Sequence, residues 1–475
     1  MRKLVLILSL IFAASCGAVQ INPLGTGDAL VFGLYLAGDN DTLVAVTNEV
    51  KRPKAVKIAV REYALGADIL SYYAYLKPLD THTLAITSDG EGPARVTVTD
   101  GGCTVPQFPE GGQATTNLLL SNDDFGATDF SRTQFGYIEV IEMGEVTGAA
   151  GQLIRDNNCG ALIEAWSTDG FWIADESVDI QPPAGGLSGS AWIVDVEHGD
   201  AYGLDPVAIT GFSDAHLHEF PGGPTPDLLS VAADETGMYR ATVPTESGVF
   251  DIAYERPEDA MSALFMTTAA SLNFSAEQTI EGMPVSYATA PTFRFYVDPE
   301  YAEGTPRLPF QVSMAAGGAP HELLLSVVNR EGQAPDTCTI MNLVEQPSGQ
   351  VGPALQTTAV QPSLLSNIVN FTRPGPENKI RPRTARGRLA IAYGSGAESW
   401  LGCDSDVDVS GRLLSGTVVG GEMDGETIRL SGLPVILTLL QRITNSTIVT
   451  PDGLVKANYG VEHQPRKRVV AQFEE

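Results

Sequence analysis

Hydrophobic and polar residues alternate in short stretches along the chain, and Gly, Pro, Asn and Asp separate these stretches. In residues 55–61, the valines and the isoleucine occupy one set of alternate positions, whereas Lys57 and Arg61 occupy the other. A period of two predicts β-strands that bury one face and expose the other. The same pattern recurs in residues 95–99, 137–143, 192–196, 249–254, 293–297, 323–328 and 389–393.

Many short strands joined by Gly- and Pro-rich turns favour β-sandwiches over a parallel α/β sheet. We therefore predict a mainly β protein with two β-sandwich-like domains of the immunoglobulin-like or jelly-roll-like kind. The expected N-terminal domain spans residues 24–300 and carries inserted loops, and the expected C-terminal domain spans residues 301–460. A polar tail is expected over residues 461–475. The resemblance between DTLVAVTN (41–48) and ELLLSVVN (322–329) suggests that the two sandwiches are related.

One segment has helical spacing instead. Pro257 stands at its first position, and Glu258 and Asp259 lie in its first turn. Proline is tolerated at the first helical position, and acidic residues favour the positive end of the helix dipole. The apolar face comprises Met261, Leu264 and Phe265. The pattern predicts one short helix that packs against the core.

The first 16 residues form a basic start, an apolar run and the sequence Ala-Ala-Ser-Cys. An apolar run of about ten residues is too short to span a bilayer and is typical of a cleaved secretory signal. Cys16 is the candidate for lipidation, and ordinary cleavage after one of the alanines is the alternative. Gly17, rather than an aspartate, follows the cysteine. We therefore expect a lipid-anchored protein of the cell outer membrane or cell surface, and otherwise a periplasmic or secreted one.

The formal net charge is -29, and 43% of the residues are hydrophobic. The hydrophobic fraction is sufficient for folded cores. The acidity argues against nucleic acid as a partner, because phosphate binding needs clustered Lys and Arg. Residues 466–468 form the basic cluster of the chain, and we expect them to lie in the solvated tail.

Cysteine usage indicates an oxidising compartment. Apart from Cys16, the chain has Cys103, Cys159, Cys338 and Cys403. Four cysteines allow three pairings. Because they fall into two groups along the sequence, we predict the bridges Cys103–Cys159 and Cys338–Cys403.

The chain resembles an uncharacterised family of exported, β-rich bacterial cell-surface proteins. The matching stretches include TLVAVTN (42–48), GYIEVIEMG (136–144), GGLSGSAWIVDVEHGDAY (185–202), LLSVVNREGQ (324–333) and GLPVILTLLQ (432–441). The resemblance extends over nearly the whole mature chain in the same order. It implies an exported β-rich surface protein and assigns no activity.

Two candidate metal sites stand out. Asp214, His216 and His218 resemble the Asp-x-His-x-His signature of metal-dependent amidohydrolases, and on a strand the two histidines would share one side. The sequence lacks the bridging lysine and the further histidines at the spacing that such enzymes need. Residues Asp404, Asp406 and Asp408 resemble the start of a calcium loop, but Val409 and Ser415 replace the glycine and glutamate of an EF-hand. We favour a solvated polar turn at both places, with a metal site as the weaker alternative, and a structural calcium ion is the one candidate cofactor.

Phe171, Trp172, Trp192 and Trp400 could form an aromatic platform that binds sugar, but we favour core packing, which is the commoner role of aromatic residues in β-rich proteins. No set of residues forms a convincing catalytic site. We therefore expect a non-enzymatic cell-envelope lipoprotein with a structural, ligand-binding or adhesion role, whose ligand or envelope partner is unknown. The competing hypothesis is a metal-dependent, amidohydrolase-like hydrolase that uses His216 and His218.

Overall fold

The computed structural model describes residues 17–275 apart from 39, 64–65, 90–91, 118–128 and 197–198. It also describes the strand segments 286–291, 322–329, 339–342, 366–371 and 386–392, and residues 413–474 apart from 452 and 464. The protein is mainly β, as predicted, and its sheets are antiparallel.

Strands dominate the described residues between 17 and 210, and three short α-helices lie among them. In chain order, the elements are β1 (Gln20–Ile21), β2 (Ala29–Leu36), β3 (Asp41–Asn48), β4 (Lys54–Glu62), β5 (Asp68–Leu76), β6 (Thr81–Thr87), β7 (Arg95–Val98), β8 (Cys103–Val105), β9 (Gln113–Ala114), β10 (Phe135–Val146), α1 (Gly148–Arg155), α2 (Cys159–Glu164), α3 (Phe171–Ala174), β11 (Ile180–Gln181), β12 (Leu187–Asp195), β13 (Asp200–Leu204) and β14 (Val207–Thr210).

One helix and sixteen further strands follow. They are β15 (Tyr239–Pro244), β16 (Val249–Tyr254), α4 (Pro257–Phe265), β17 (Met266–Thr267), β18 (Ala269–Ser275), β19 (Ser286–Pro291), β20 (Glu322–Asn329), β21 (Thr339–Asn342), β22 (Ser366–Phe371), β23 (Arg386–Ala392), β24 (Leu413–Val418), β25 (Thr427–Ser431), β26 (Leu433–Pro434), β27 (Thr438–Thr450), β28 (Gly453–His463), β29 (Arg466–Arg468) and β30 (Val470–Phe473).

Two sheets form a sandwich in the N-terminal half. The eight-stranded sheet has the order β1-β14-β2-β10-β4-β5-β8, with β11 paired to β10, and the six-stranded sheet has the order β13-β12-β3-β6-β7-β9. Their facing side chains form one buried apolar cluster that includes Val44, Val56, Ile58, Ile138 and Ile193. This cluster is the sandwich core that the alternating pattern predicted.

Close backbone contact in the eight-stranded sheet explains why residue 136 is a glycine. A Cβ atom on Gly136 of β10 would lie 1.9 Å from the carbonyl oxygen of Arg61 in β4. Only glycine therefore fits at this position without moving one of the strands.

The other face of the eight-stranded sheet, called here the outer face, is also covered, contrary to the prediction of one exposed face. Helices α1–α3 pack on one part of it and bury Ala55, Tyr73, Tyr75 and Met143. Helix α4 and the sheet β15-β16-β24-β25-β30 cover another part, where Val31 and Ile141 lie. The eight-stranded sheet is therefore the middle layer of three.

Helix α4 begins at Pro257 as predicted, but helices α1–α3 were not predicted. Asp179 accepts a hydrogen bond from the backbone N–H of Ala150 in α1 at 2.9 Å. The Asn158 side chain accepts one from the backbone N–H of Ala161 and so caps α2. Such caps satisfy N–H groups that have no partner within the helix, so very short helices can persist here.

Strand pairing in the C-terminal half crosses the boundary expected at residue 300. Strand β16 pairs with β24, and β18 pairs with β23 and β29. The segment expected as a polar tail is instead part of two sheets, because β29 pairs with β18 and β30 pairs with β25. Backbone hydrogen bonds to β18 hold the basic residues 466–468 in a sheet, because strand pairing does not depend on the charge of the side chains. The division into two domains stays a prediction.

Candidate functional site

His218 lies in a buried aromatic cluster between the eight-stranded sheet and helices α2 and α3. Its ring centroid is 4.6 Å from that of Trp172 and 4.9 Å from that of Trp166. Tyr75 stacks on Trp172 with an interplanar angle of 9°. The side chain of His218 is 1% exposed. The cluster therefore belongs to the hydrophobic packing of the helical layer.

Hydrogen bonds fix the tautomer of His218. Its Nδ1 atom lies 2.9 Å from the carbonyl oxygen of Glu176, which can only accept, so Nδ1 carries the proton and donates it. Nε2 then accepts from the hydroxyl of Tyr75 at 3.2 Å, and that hydroxyl accepts from the indole N–H of Trp166 at 2.8 Å. Both ring nitrogens of His218 are thus engaged with protein groups.

These surroundings oppose a charge on His218. Burial is the main cause that lowers its pKa to about 4, and His216 acts in the same direction. A neutral imidazole is a metal ligand only if one nitrogen has a free lone pair, and here Nε2 already accepts from Tyr75. The structure gives His218 a packing role in place of the polar turn considered above.

His216 does not share a side of a strand with His218, because β14 ends at Thr210 and residues 211–220 form no strand. The Nδ1 atom of His216 is buried and makes no hydrogen bond in the structure. The described residues contain no group of three or more His, Cys, Asp or Glu side chains placed to hold a metal ion. These two histidines therefore do not form the shared metal site that the metal-dependent hydrolase hypothesis requires.

Lys57 lies on the outer face and is 2% exposed. Its ammonium group donates to three successive carbonyl oxygens, those of Gly223, Pro224 and Thr225, at 3.1, 2.8 and 3.0 Å. An ammonium group has three protons, so this loop satisfies all of them. Burial is the main cause that lowers the pKa of Lys57, and Asp68 opposes it.

Further ion pairs with little exposure to solvent belong to β4. Glu62 pairs with Arg132, and both side chains are fully buried. Arg61 donates through Nε and Nη2 to Glu139 on the outer face, at 3.2 and 3.0 Å. Lys54 pairs with Glu142, and both side chains are fully buried. Glu142 also accepts from the backbone N–H groups of Ala184 and Gly185. Burial raises the pKa of Glu142 to about 7, although Lys54 acts in the opposite direction. These charges stabilise the fold and are not exposed to a substrate.

The predicted bridge Cys103–Cys159 is confirmed, and it ties β8 to the first residue of α2. Cys103 is 2% exposed and belongs to the aromatic cluster of the helical layer. The predicted bridge Cys338–Cys403, the candidate calcium ligands Asp404, Asp406 and Asp408, and Cys16 lie outside the described residues. They stay predictions.

The structure places Phe171 and Trp172 together in the buried aromatic cluster, with ring centroids 4.9 Å apart. Trp172 is fully buried, which confirms core packing for this residue, and its indole N–H donates to the carbonyl oxygen of Val178 at 3.0 Å. Trp192 is 52% exposed and lies on the outward face of the six-stranded sheet. Trp400 lies outside the described residues.

Trp192 belongs to a row of cross-strand neighbours on that outward face, called here the Trp192 row. In order across the sheet, the row comprises Gly203, Trp192, Leu43, Ala85 and Thr97. Leu43 is 45% exposed. Alternation in β12 indicated this position, because Ala191 and Ile193 take the buried side, but it did not show which strands lie beside it.

The first residues after Cys16 are part of the fold. The Val19 N–H donates to the Arg240 carbonyl oxygen at 2.8 Å, and the Val19 carbonyl oxygen accepts from the Thr242 N–H at 2.9 Å. The side chain of Val19 is fully buried. Gln20 and Ile21 then pair with β14. The backbone is thus held from the third residue after Cys16.

Comparison with known proteins found no matching family model and no matching curated protein. Within the described residues, no helix is both long enough and apolar enough to cross a membrane.

Proposed function

We propose that this protein is a non-enzymatic lipoprotein of the bacterial cell envelope, anchored through Cys16, which presents a β-sandwich surface for binding. The observation that carries the proposal is the fixed backbone of Val19, three residues after the candidate lipidation site. Cleavage after Val19 would remove a buried side chain, and cleavage after Ile21 would also leave the edge of β14 without β1. The fold therefore favours cleavage close to Cys16, as lipidation requires.

The buried polar groups support a non-enzymatic role. Lys57, Glu142 and His218 have shifted pKa values, which often mark active sites. Each of them is instead enclosed by partners from the protein itself, with side chains at most 2% exposed. A general acid or base must reach its substrate, and these groups do not. The Cys103–Cys159 bridge agrees with an oxidising compartment.

The test is intact-protein mass spectrometry of the mature full-length chain purified from membranes. We expect an N-terminus at Cys16 with acyl chains attached, and a Cys16→Ala variant that accumulates without them. A mature chain that begins before Cys16 or carries no lipid would refute the anchor. Turnover of a hydrolase substrate panel that disappears in His218→Phe would refute the non-enzymatic role.

A further inference from the structure

We propose that the Trp192 row binds a neutral, extended glycan. The proposal deepens the binding role proposed above, and it does not depend on the lipid anchor. It rests on the position of the Trp192 indole, on the absence of charge in the row, and on the hydroxyl groups beside it.

The indole of Trp192 lies over its cross-strand neighbour Gly203. A Cβ atom placed on Gly203 would be 3.8 Å from two carbons of the six-membered ring, so the ring rests on the glycine backbone. Covering a glycine in this way stabilises a strand at the end of a sheet, and β13 holds that place. The packing also leaves the other ring face open to solvent, since Trp192 is 52% exposed.

The Trp192 row itself carries no charged side chain, in a protein whose net charge is -29. Every member of the Trp192 row is apolar, small or hydroxylic. The next two rows, which comprise Ser190, Ala45 and Thr83 and then Ser188, Thr47 and Thr81, are uncharged as well. On the other side of the Trp192 row, the neighbouring row contains Asp41 and Arg95, and Ser188 donates to the carboxylate of Glu49 at 2.6 Å. These carboxylates and the overall acidity repel polyanions, whereas a neutral sugar can donate hydrogen bonds from its hydroxyl groups to a carboxylate.

Hydroxyl groups beside the indole can recognise sugar hydroxyls. The Oγ1 atoms of Thr47 and Thr81 lie 2.9 Å apart, and those of Thr83 and Thr99 lie 2.7 Å apart. In each pair one hydroxyl donates to the other, and Thr99 also donates to the carbonyl oxygen of Thr83 at 3.3 Å. The Thr47–Thr81 pair therefore retains one proton, and both pairs retain lone pairs that can accept a hydrogen bond. An exposed aromatic ring for the apolar face of a sugar, with hydroxyls next to it, suits a glycan better than a charged ligand. The row crosses five neighbouring strands, so an extended chain can contact it along its length.

The test is isothermal titration of the mature Cys16→Ala protein with a panel of neutral hexasaccharides, namely β-1,4- and β-1,3-glucans, α-1,4-glucan, mannan and xylan. Using the unlipidated chain keeps the result independent of the anchor. We expect at least one hexasaccharide to bind, and Trp192→Ser to weaken it by about tenfold or more. Trp192→Phe should recover part of the affinity, because a ring face is retained.

A matched control is Phe220→Ser, which removes an aromatic side chain that is 56% exposed elsewhere on the surface. It should leave the affinity unchanged, and an acidic polysaccharide such as alginate should not bind. The proposal fails if no member of the panel binds, or if Trp192→Ser binds as well as the parent. It also fails if sedimentation shows a dimer that Trp192→Ser abolishes, because a second copy then covers the row.

Discussion

The two faces of the eight-stranded sheet are both buried, but by different means. The face towards the six-stranded sheet meets apolar side chains, and its charged residues on β4 stand at the strand ends, Lys54 and Glu62. The outer face carries Lys57 in the middle of the same strand and Arg61 one residue before its end. There, a loop and a neighbouring strand supply the partners, namely backbone carbonyl oxygens and Glu139.

This difference shows that alternation predicts which side a residue takes and not whether that side meets water. A polar face can be buried when the covering layer satisfies its charges. Burying an ammonium group without partners would be prohibitive, so the loop at 223–225 must be in place for the outer face to close. The comparison can be tested by removing charges from each face in turn.

The largest expected effect is that of Lys54→Met, which removes the cation beside buried Glu142. Loss of one partner of a buried ion pair costs about 4 kcal/mol, because the remaining charge has no counterion. We expect that loss in the free energy of unfolding at pH 8, measured by urea denaturation. The matched control is Arg468→Met, from an exposed pair with Glu246, which should cost less than about 1 kcal/mol.

The pH dependence of this variant sharpens the test. The pKa of Glu142 is already raised to about 7 in the folded protein. Without Lys54 it should rise further, so at pH 5 the folded state holds a neutral carboxyl while the unfolded state is largely ionised. The loss of unfolding free energy caused by Lys54→Met should therefore be smaller at pH 5 than at pH 8. An equal deficit at both values would mean that Lys54 acts by packing alone.

The next largest expected effect concerns His218, whose pKa is lowered in the folded protein, whereas that of Glu142 is raised. Its folded-state pKa of about 4 lies below the ordinary value of 6.5, so between these values the unfolded chain binds a proton that the folded chain does not. The stability that His218 contributes above pH 6.5 should be lost as the pH falls to 4, by up to about 3 kcal/mol. Urea denaturation of wild type and His218→Phe across this range checks it. The variant should be less stable at pH 7.5 yet show the shallower slope, and parallel curves would contradict the assignment.

The smallest expected effect concerns Lys57 and Ile58, which are neighbours in β4 on opposite faces of the sheet. Lys57→Met should cost about 2 kcal/mol, because three carbonyl oxygens lose their donor. Ile58→Val, on the apolar face, should cost about 1 kcal/mol. Limited proteolysis should cut the 221–226 loop faster in Lys57→Met and not in Ile58→Val. Equal cleavage in both would show that Lys57 does not hold the loop.

Much of the strand content was readable from the sequence. The two segments singled out as similar, DTLVAVTN and ELLLSVVN, are strands β3 and β20 with those same bounds. Alternation sufficed there because one face of β3 is buried and the other exposed. Helix α4 was readable from Pro257 and its acidic first turn.

The covering layer was not readable in the same way. The partners of Lys57 are backbone carbonyls, and these have no side-chain signature. The loop that brings His218 to Tyr75 has no periodic pattern, so its histidine looked like part of a polar turn. Helices α1 and α2 did leave a signal, since Ala150 and Ile154 are spaced by one helical turn and Asn158 is a favoured cap, but each helix is short.

The pairing of β1 has a consequence for the order in which the sandwich can form. Gln20 and Ile21 precede the other strands of their sheet, yet their pairing partners are Thr210 and Ile209, and the bridge partner of Val19 is Ala241. Residues 19–21 therefore cannot pair until β14 and β15 are in place, so this end of the chain joins the sheet late in folding.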